Sequence, residues 1–316
     1  MKPIVFITQK LPDQAVAGLK EQYEVRMWPE EETHAPREKL LEEAKEAHAL
    51  WTMLSDQIDS EVFENAPNLK IVSNLAVGYN NIDLEAARKY GVTVTNTPEV
   101  LTESTADLTF ALLLATARRI MEAEKIVRSG EWKSWTPMGM TGQNVGGATL
   151  GIIGMGRIGE AVARRAQGFG MNILYHNRTR KSLEDVRYAG FEELLKVSDY
   201  VVILTPLTPE TRGMIGAEEL ALMKETACLI NVARGGIVDE MALYEALKEK
   251  KIWGAGLDVF EQEPVPLDHP LLTLPNVTVL PHIGSATVQT RLEMMALNAE
   301  AIKACLENRS VKNRVC

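Results

Sequence analysis

Along nearly the whole chain, short apolar runs alternate with stretches whose apolar residues recur at helical spacing. In the first third, residues 4–8, 23–27, 49–53, 71–74 and 93–95 read as strands. Residues 12–22, 36–46, 60–65 and 84–90 read as the helices between them. Strict alternation predicts a parallel sheet, because parallel neighbours need a crossover connection. Residues 102–129 are rich in Ala and Leu, opened by Thr102, Glu103, Ser104 and Thr105 and closed before Gly130, which predicts one long helical spine. Strands recur at 150–153, 172–175, 199–205, 227–232, 254–260 and 277–280, and a last helix spans 286–307. That helix is expected to return to the first domain. The pattern predicts an α/β fold of two doubly wound parallel-sheet domains, residues 1–98 with 287–316 and residues 99–286.

One strand-to-helix turn in the second domain carries a chemical signature. Leu150-Gly151-Ile152-Ile153 leads into Gly154-Met155-Gly156-Arg157-Ile158-Gly159, which fits G-x-G-x-x-G, and a helix follows. Each glycine has its own physical role. Gly154 permits the tight turn, Gly156 lets a pyrophosphate approach the backbone, and Gly159 lets helix and strand pack closely. Helix N–H groups then meet the phosphates. The second domain is therefore expected to be a Rossmann dinucleotide-binding domain. No such fingerprint follows the first strand of the first domain.

The strand at 172–175 refines the cofactor. An NAD site usually places an acid about 20 residues past the first glycine, on the ribose 2′-hydroxyl. Here the chain reads His176-Asn177-Arg178-Thr179-Arg180-Lys181, with no acid between Met171 and Leu183. The arginines Arg178 and Arg180 and the hydroxyl of Thr179 suit a 2′-phosphate, and Asn177 beside them reads as a further cofactor contact. NADPH is expected over NADH, with NAD possible. His176 reads as a cofactor neighbour.

Composition narrows the remaining classes. The 316 residues are 46% hydrophobic and 24% charged, as in ordinary soluble domains, and suffice for two cores. A net charge of −9 argues against a nucleic-acid partner. Cys228, Cys305 and Cys316 show neither disulfide-framework nor metal spacing, so no metal is expected. The first residues lack a signal-type apolar run and no stretch could span a bilayer, so a cytoplasmic protein without membrane contact is expected. Residues 131–147 carry Trp132, Trp135 and Pro137, which reads as a surface arm suited to an interface.

In doubly wound sheets ligands bind beyond the carboxyl ends of the strands. Arg234, Glu263 and His282 follow three predicted strands, whereas His34, His48 and His269 lack that placement. The set suits hydride transfer to a small 2-oxo acid. An arginine fork fits a carboxylate beside a carbonyl. A histidine supplies the proton that the reduced oxygen needs. A glutamate beside it favours the imidazolium.

Several stretches resemble one known family in order along the chain. They are Ala76-Val77-Gly78-Tyr79-Asn80-Asn81-Ile82-Asp83, Asn96-Thr97-Pro98-Glu99, Asn231-Val232-Ala233-Arg234-Gly235-Gly236, Gly256-Leu257-Asp258-Val259-Phe260-Glu261-Gln262-Glu263-Pro264 and Pro281-His282-Ile283-Gly284-Ser285. They resemble the D-isomer-specific 2-hydroxyacid dehydrogenases. Met53-Leu54-Ser55-Asp56 and Asn177-Arg178-Thr179 resemble its glyoxylate/hydroxypyruvate reductase branch. The resemblance implies a flavodoxin-like substrate domain and reduction of glyoxylate or hydroxypyruvate to glycolate or D-glycerate. It implies that Arg234 holds the substrate, that Glu263 tunes His282, and that His282 donates the proton. Val77 and Gly78 would take the substrate carboxylate, with Leu54 lining the pocket. Asp258 would bond the nicotinamide carboxamide, and Thr205, Val232, Ala233 and Gly284 would lie along the dinucleotide beside residues 154–159. A homodimer is implied, with Trp135 resembling a tryptophan that reaches the partner's site. Other activities stay open: 2-ketogluconate reductase, 3-phosphoglycerate or D-lactate dehydrogenase, or a dinucleotide-sensing protein like the corepressors built on this fold.

Overall fold

A computed structural model describes residues 2–316, whose contacts divide the chain into two compact units. Unit 1 comprises Met1–Leu101 and Ala286–Cys316, and unit 2 comprises Thr102–Ser285.

Unit 1 begins with β1 (Ile4–Ile7), α1 (Asp13–Lys20), β2 (Glu24–Met27), α2 (Arg37–Ala44), β3 (Ala49–Thr52), α3 (Ser60–Glu64), β4 (Ile71–Asn74), α4 (Leu84–Lys89) and β5 (Thr93–Thr95). The strands form one parallel sheet in the order β2-β1-β3-β4-β5. Strands β3 and β4 are buried along their whole length, which is why they read as continuous apolar runs rather than alternating ones. Asp59 and Asp83 accept backbone N–H groups at the starts of α3 and α4, at 3.3 Å for Val62 and 2.9 Å for Ala86. The open edge of β5 is covered by the chain's own tail. The Val315 N–H donates to the Val94 carbonyl at 2.7 Å, and Thr95 bridges Arg314 antiparallel.

Unit 2 runs α5 (Thr102–Ala117), α6 (Ile120–Arg128), β6 (Thr149–Ile153), α7 (Arg157–Gly168), β7 (Asn172–His176), β8 (Arg187–Tyr188), α8 (Phe191–Val197), β9 (Tyr200–Ile203), α9 (Ala217–Leu222), β10 (Cys228–Asn231), α10 (Glu240–Lys248), β11 (Gly254–Leu257) and β12 (Val277–Val279). Its parallel sheet has the order β12-β11-β10-β9-β6-β7-β8. Strand order reverses at β6, which lies between β7 and β9, so the switch point falls at the carboxyl end of β6. Alternate side chains feed separate cores on the two faces. Ile153, Val201, Ile203 and Leu229 enter one, while Leu150, Ile152, Val202 and Ile230 enter the other. The chain then returns to unit 1 as α11 (Val288–Leu306), capped by Thr287, and packs on α1 and β4. There the Asn298 amide donates to Ser73 Oγ at 2.8 Å.

The expected single helix over 102–129 is two helices. Arg119 adopts a left-handed backbone, φ 55°, between α5 and α6. The cause is non-local. The Gln143 N–H takes the Ala117 carbonyl at 2.8 Å, and Gly142 lies so close that a β-carbon there would sit 2.3 Å from that oxygen. The Arg119 guanidinium is held by Glu122 at 2.6 Å. The two-residue strand β8 was absent from the sequence expectation. Among the described residues no helix is long and apolar enough to cross a membrane.

Candidate active site

The glycine turn sits at the carboxyl end of β6, at the switch point. Gly154 has φ 104°, and a β-carbon on it would stand 2.6 Å from the Thr205 nitrogen, so this glycine lets the ends of β6 and β9 come together. A β-carbon on Gly159 would be 2.5 Å from the Gly154 carbonyl. Gly156, by contrast, faces open space with nothing within 4 Å of a β-carbon. It is also the N-cap of α7, with no side chain capping that end. An unobstructed backbone at a helix N-terminus fits a pyrophosphate. Met155 is buried beneath the turn. Asn177 is drawn into bracing it: its side-chain oxygen accepts the Met155 N–H at 2.7 Å and its amide donates to the Met155 carbonyl at 3.3 Å. Arg178, Thr179 and Arg180 are exposed after β7. The His176 ring lies against Tyr188 and Phe191, with Nδ1 3.1 Å from the Ala189 carbonyl.

Three neighbouring strands, β10, β11 and β12, end beside one another in the same sheet. Arg234 follows β10. Asn231, buried at the end of that strand, accepts the Ala233 N–H at 3.0 Å and donates to the Arg234 carbonyl at 2.9 Å, fixing the turn. Val232 and Ala233 are buried within it. Burial lowers the Arg234 guanidinium from its usual range, opposed by the Glu263 charge. Its own Nη1 donates to the Ala233 carbonyl at 2.7 Å.

Glu263 and His282 follow β11 and β12 and meet, with Glu263 Oε2 2.6 Å from His282 Nδ1. The other oxygen, Oε1, accepts the Phe260 N–H at 2.9 Å. Burial alone would push the Glu263 carboxyl up. The His282 hydrogen bond and charge, the Phe260 N–H and the Arg234 charge outweigh it and hold the carboxyl below the usual glutamate value. His282 itself has a left-handed backbone, φ 55°, a region that histidine visits more readily than most residues. Asp258, only 1% exposed, holds the following residues: Oδ1 accepts the Ile283 N–H at 2.8 Å and Oδ2 the Gly284 N–H at 2.9 Å. Burial raises the Asp258 carboxyl, against the pull of those N–H groups and His282.

The loops after β10 and β11 are fitted to each other at one glycine. A β-carbon on Gly235 would lie 1.8 Å from the Phe260 carbonyl oxygen and 2.3 Å from the Glu261 nitrogen. No L side chain fits there without moving the Phe260–Glu261 peptide.

In unit 1, Leu54 is half-buried in the turn after β3, and Val77 and Gly78 form the loop after β4. That loop is pinned by its carbonyls: Asn96 donates to Val77 at 2.8 Å and Asn74 to Gly78 at 3.0 Å. The Asn81 amide reaches the Met53 and Asp56 carbonyls at 3.2 and 2.9 Å.

Known proteins share this fold. The family model described as D-isomer specific 2-hydroxyacid dehydrogenase, NAD binding domain, matches residues 110–284. The chain belongs to that family. Glyoxylate reductase of Pyrococcus furiosus is 55% identical over 314 residues, covering 96% of this chain and 93% of that protein. A solved structure from Thermus thermophilus superposes with a TM-score of 0.94 at 46% identity, covering 99% and 100% of the two chains. The NADPH-dependent glyoxylate/hydroxypyruvate reductase of Sinorhizobium meliloti, solved with NADP and malonate, has a TM-score of 0.87 at 33% identity, covering 100% and 97%. The protein is thus a D-2-hydroxyacid dehydrogenase with a nicotinamide dinucleotide cofactor.

Sequence reasoning missed Asn231, the steric role of Gly235, and the bracing by Asn177 and Asp258. A polar residue within an apolar strand end, as in Leu229-Ile230-Asn231, was the available signal for the first.

Two outcomes follow for this site. Gly235→Ala displaces the Phe260–Glu261 peptide and is expected to lower kcat by about 100-fold, the cost of an ångström-scale misplacement. Cofactor affinity by fluorescence titration should stay near wild type, and an unchanged kcat would contradict the steric reading. Second, a carboxyl with a lowered folded-state pKa contributes stability that is complete above its unfolded value, about 4.3, and is lost as pH falls through the lowered value. The urea-unfolding gap between wild type and Glu263→Gln should therefore be full above about pH 5 and close with further acidification. A gap independent of pH would contradict the ionised pairing.

Proposed function

We propose that this dehydrogenase reduces glyoxylate and hydroxypyruvate to glycolate and D-glycerate, with NADPH preferred and with His282 as proton donor. The observation that carries the reading is the Glu263–His282 pair at 2.6 Å, after the two strands that continue the sheet beyond β10, the strand that presents Arg234. The named activities of the Pyrococcus and Sinorhizobium proteins support the substrate class.

Nicotinamide, when bound, supplies the hydride. Arg234 offers its fork of donors to the substrate carboxylate and carbonyl, orienting the acid and stabilising the oxygen as it gains charge. Glu263 occupies Nδ1 of His282, which leaves Nε2 to give the proton to that oxygen. The carboxylate also fixes the orientation of the ring for that transfer. Leu54, Val77 and Gly78 belong to the proposal as substrate contacts, Asp258 as a contact of the carboxamide, and Thr205, Val232, Ala233 and Gly284 as contacts of the dinucleotide. The NADPH preference rests on exposed Arg178, Thr179 and Arg180 and on the lack of an acid between Met171 and Leu183.

A homodimer is part of the same proposal. Helix α6 has no buried residue, and Met121, Val127, Trp132, Trp135 and Met138 are all at least half exposed. Such a run of large apolar side chains favours cover by a second copy.

A steady-state panel of glyoxylate, hydroxypyruvate, pyruvate, 3-phosphohydroxypyruvate and 2-ketogluconate with both cofactors tests the function. The first two with NADPH should give the highest kcat/KM. One charge-assisted phosphate bond corresponds to roughly 10- to 100-fold over NADH. His282→Asn should cost about 10²–10⁴-fold in kcat with cofactor binding retained. Tight cofactor binding without turnover of any acid would favour the sensor reading. Sedimentation should give about twice the 35.0 kDa chain mass. Trp135→Glu with Met138→Glu should shift it to one chain, and a monomeric wild type would remove the dimer.

A further inference from the structure

A second carboxylate–imidazole pair lies below the loop that carries Glu263. Glu240, in the first turn of α10, places Oε2 3.0 Å from His269 Nε2. The two side chains are only 12% and 15% exposed. The Glu240 carboxylate makes a second contact, in which its Oε1 accepts the Glu261 N–H at 2.6 Å. The His269 ring also lies edge-on to Phe260, with centroids 6.3 Å apart.

Two consecutive amides thus go in different directions. The Phe260 N–H holds Glu263 Oε1, and the Glu261 N–H is held by Glu240. The peptide group joining them has its carbonyl against Gly235, where no β-carbon fits, and its N–H on Glu240. Its rotation is blocked sterically on one side and by a charge-assisted bond on the other. His269 retains a cost for this arrangement, because its Nδ1 is buried without a partner. An orphaned buried ring nitrogen destabilises the fold, so a histidine here needs a compensating gain. Its bond to Glu240, which fixes the rotamer of the acid beneath Glu261, supplies one.

We propose that Glu240 and His269 are positioning residues for the reaction: they clamp the Phe260–Glu261 peptide and thereby hold the Glu263 carboxylate in register with His282. Neither touches substrate or cofactor. Their effect passes through Glu263 alone. The inference rests on the proposed role of Glu263 and His282.

A double-mutant cycle provides the test, using the full chain and whichever 2-oxo acid turns over best. Glu240→Ala should lower kcat by about 10-fold or more, with KM for acid and cofactor within about twofold, because only the alignment of the proton donor changes. In the Glu263→Gln background the same change should cost less than about twofold, since the carboxylate it positions is gone. Glu240→Gln can still accept the Glu261 N–H and should restore most of the loss. His269→Phe, which keeps the ring against Phe260 but drops the bond, should lower kcat in the same background-dependent way, and it serves if Glu240→Ala does not fold. Amide exchange of the 259–264 peptide should accelerate in Glu240→Ala while the rest of unit 2 keeps its protection. Equal losses in both backgrounds, or losses that track global unfolding, would overturn the clamp. A wild type that turns over no 2-oxo acid would overturn the proposed function instead, and the exchange measurement would still judge the clamp.

Discussion

The hydrogen bond between Glu263 and His282 is the interaction on which the rest of the site depends. It joins residues 19 positions apart, at the ends of two parallel strands, and it holds only if both loops keep their backbone paths. Each loop is braced by an acid, Asp258 for one and Glu240 for the other. Asp258 takes two successive N–H groups after His282, and Glu240 takes the N–H after Phe260. The left-handed backbone of His282 is held against its natural preference by that first brace, a local cost that a rigid surrounding can sustain. The pairing of this carboxylate with this ring therefore draws on hydrogen bonds from two loops and from the first turn of α10.

Those loops meet because of sheet topology rather than sequence proximity. Parallel strands all deliver their carboxyl ends to one edge, and the order of the unit 2 sheet sets β10, β11 and β12 side by side. The same edge carries the glycine turn at β6, where strand order reverses. Small residues govern how tightly these turns assemble. Gly154 admits the Thr205 backbone and Gly235 admits the Phe260 carbonyl, so two close approaches without side chains bring the glycine turn and the loops after β10 and β11 to their positions. Glycine serves here as an absence of volume, a requirement distinct from helix or strand propensity.

Much of this was readable in the chain. The strands at 71–74 and 93–95 coincide with β4 and β5, because buried parallel strands are short, apolar and bounded by polar turns. Arg234, Glu263 and His282 were found by their placement after such strands, and Glu263 and His282 are in contact. What was not readable is non-local. Ala117-Arg118-Arg119-Ile120 contains no glycine or proline, and α5 ends there because residues 142 and 143 return to the Ala117 carbonyl. Strand β8 has two residues, too few to show a period. Asn177 reads from its position as a cofactor contact, and only the folded chain shows that its side chain also serves the Met155 peptide across the turn. His269 follows no strand, and only the folded chain shows that its partner is an acid in α10. Local pattern reports burial and periodicity; it carries no record of which carbonyl a distant loop will seek.

The return of the chain to unit 1 has a consequence for synthesis. Unit 1 starts at the N-terminus, but α11 and the tail that covers β5 leave the ribosome only after all of unit 2. During translation the nascent first sheet lacks both the helix that packs on β4 and the residues that satisfy the Val94 backbone. Unit 2, contiguous in sequence, has every one of its strands available before that gap closes. The later-made domain is thus the first able to complete its core on emergence, and the earlier-made one waits with an exposed flank, the vectorial situation in which chaperone capture or mispairing of a strand edge competes with folding.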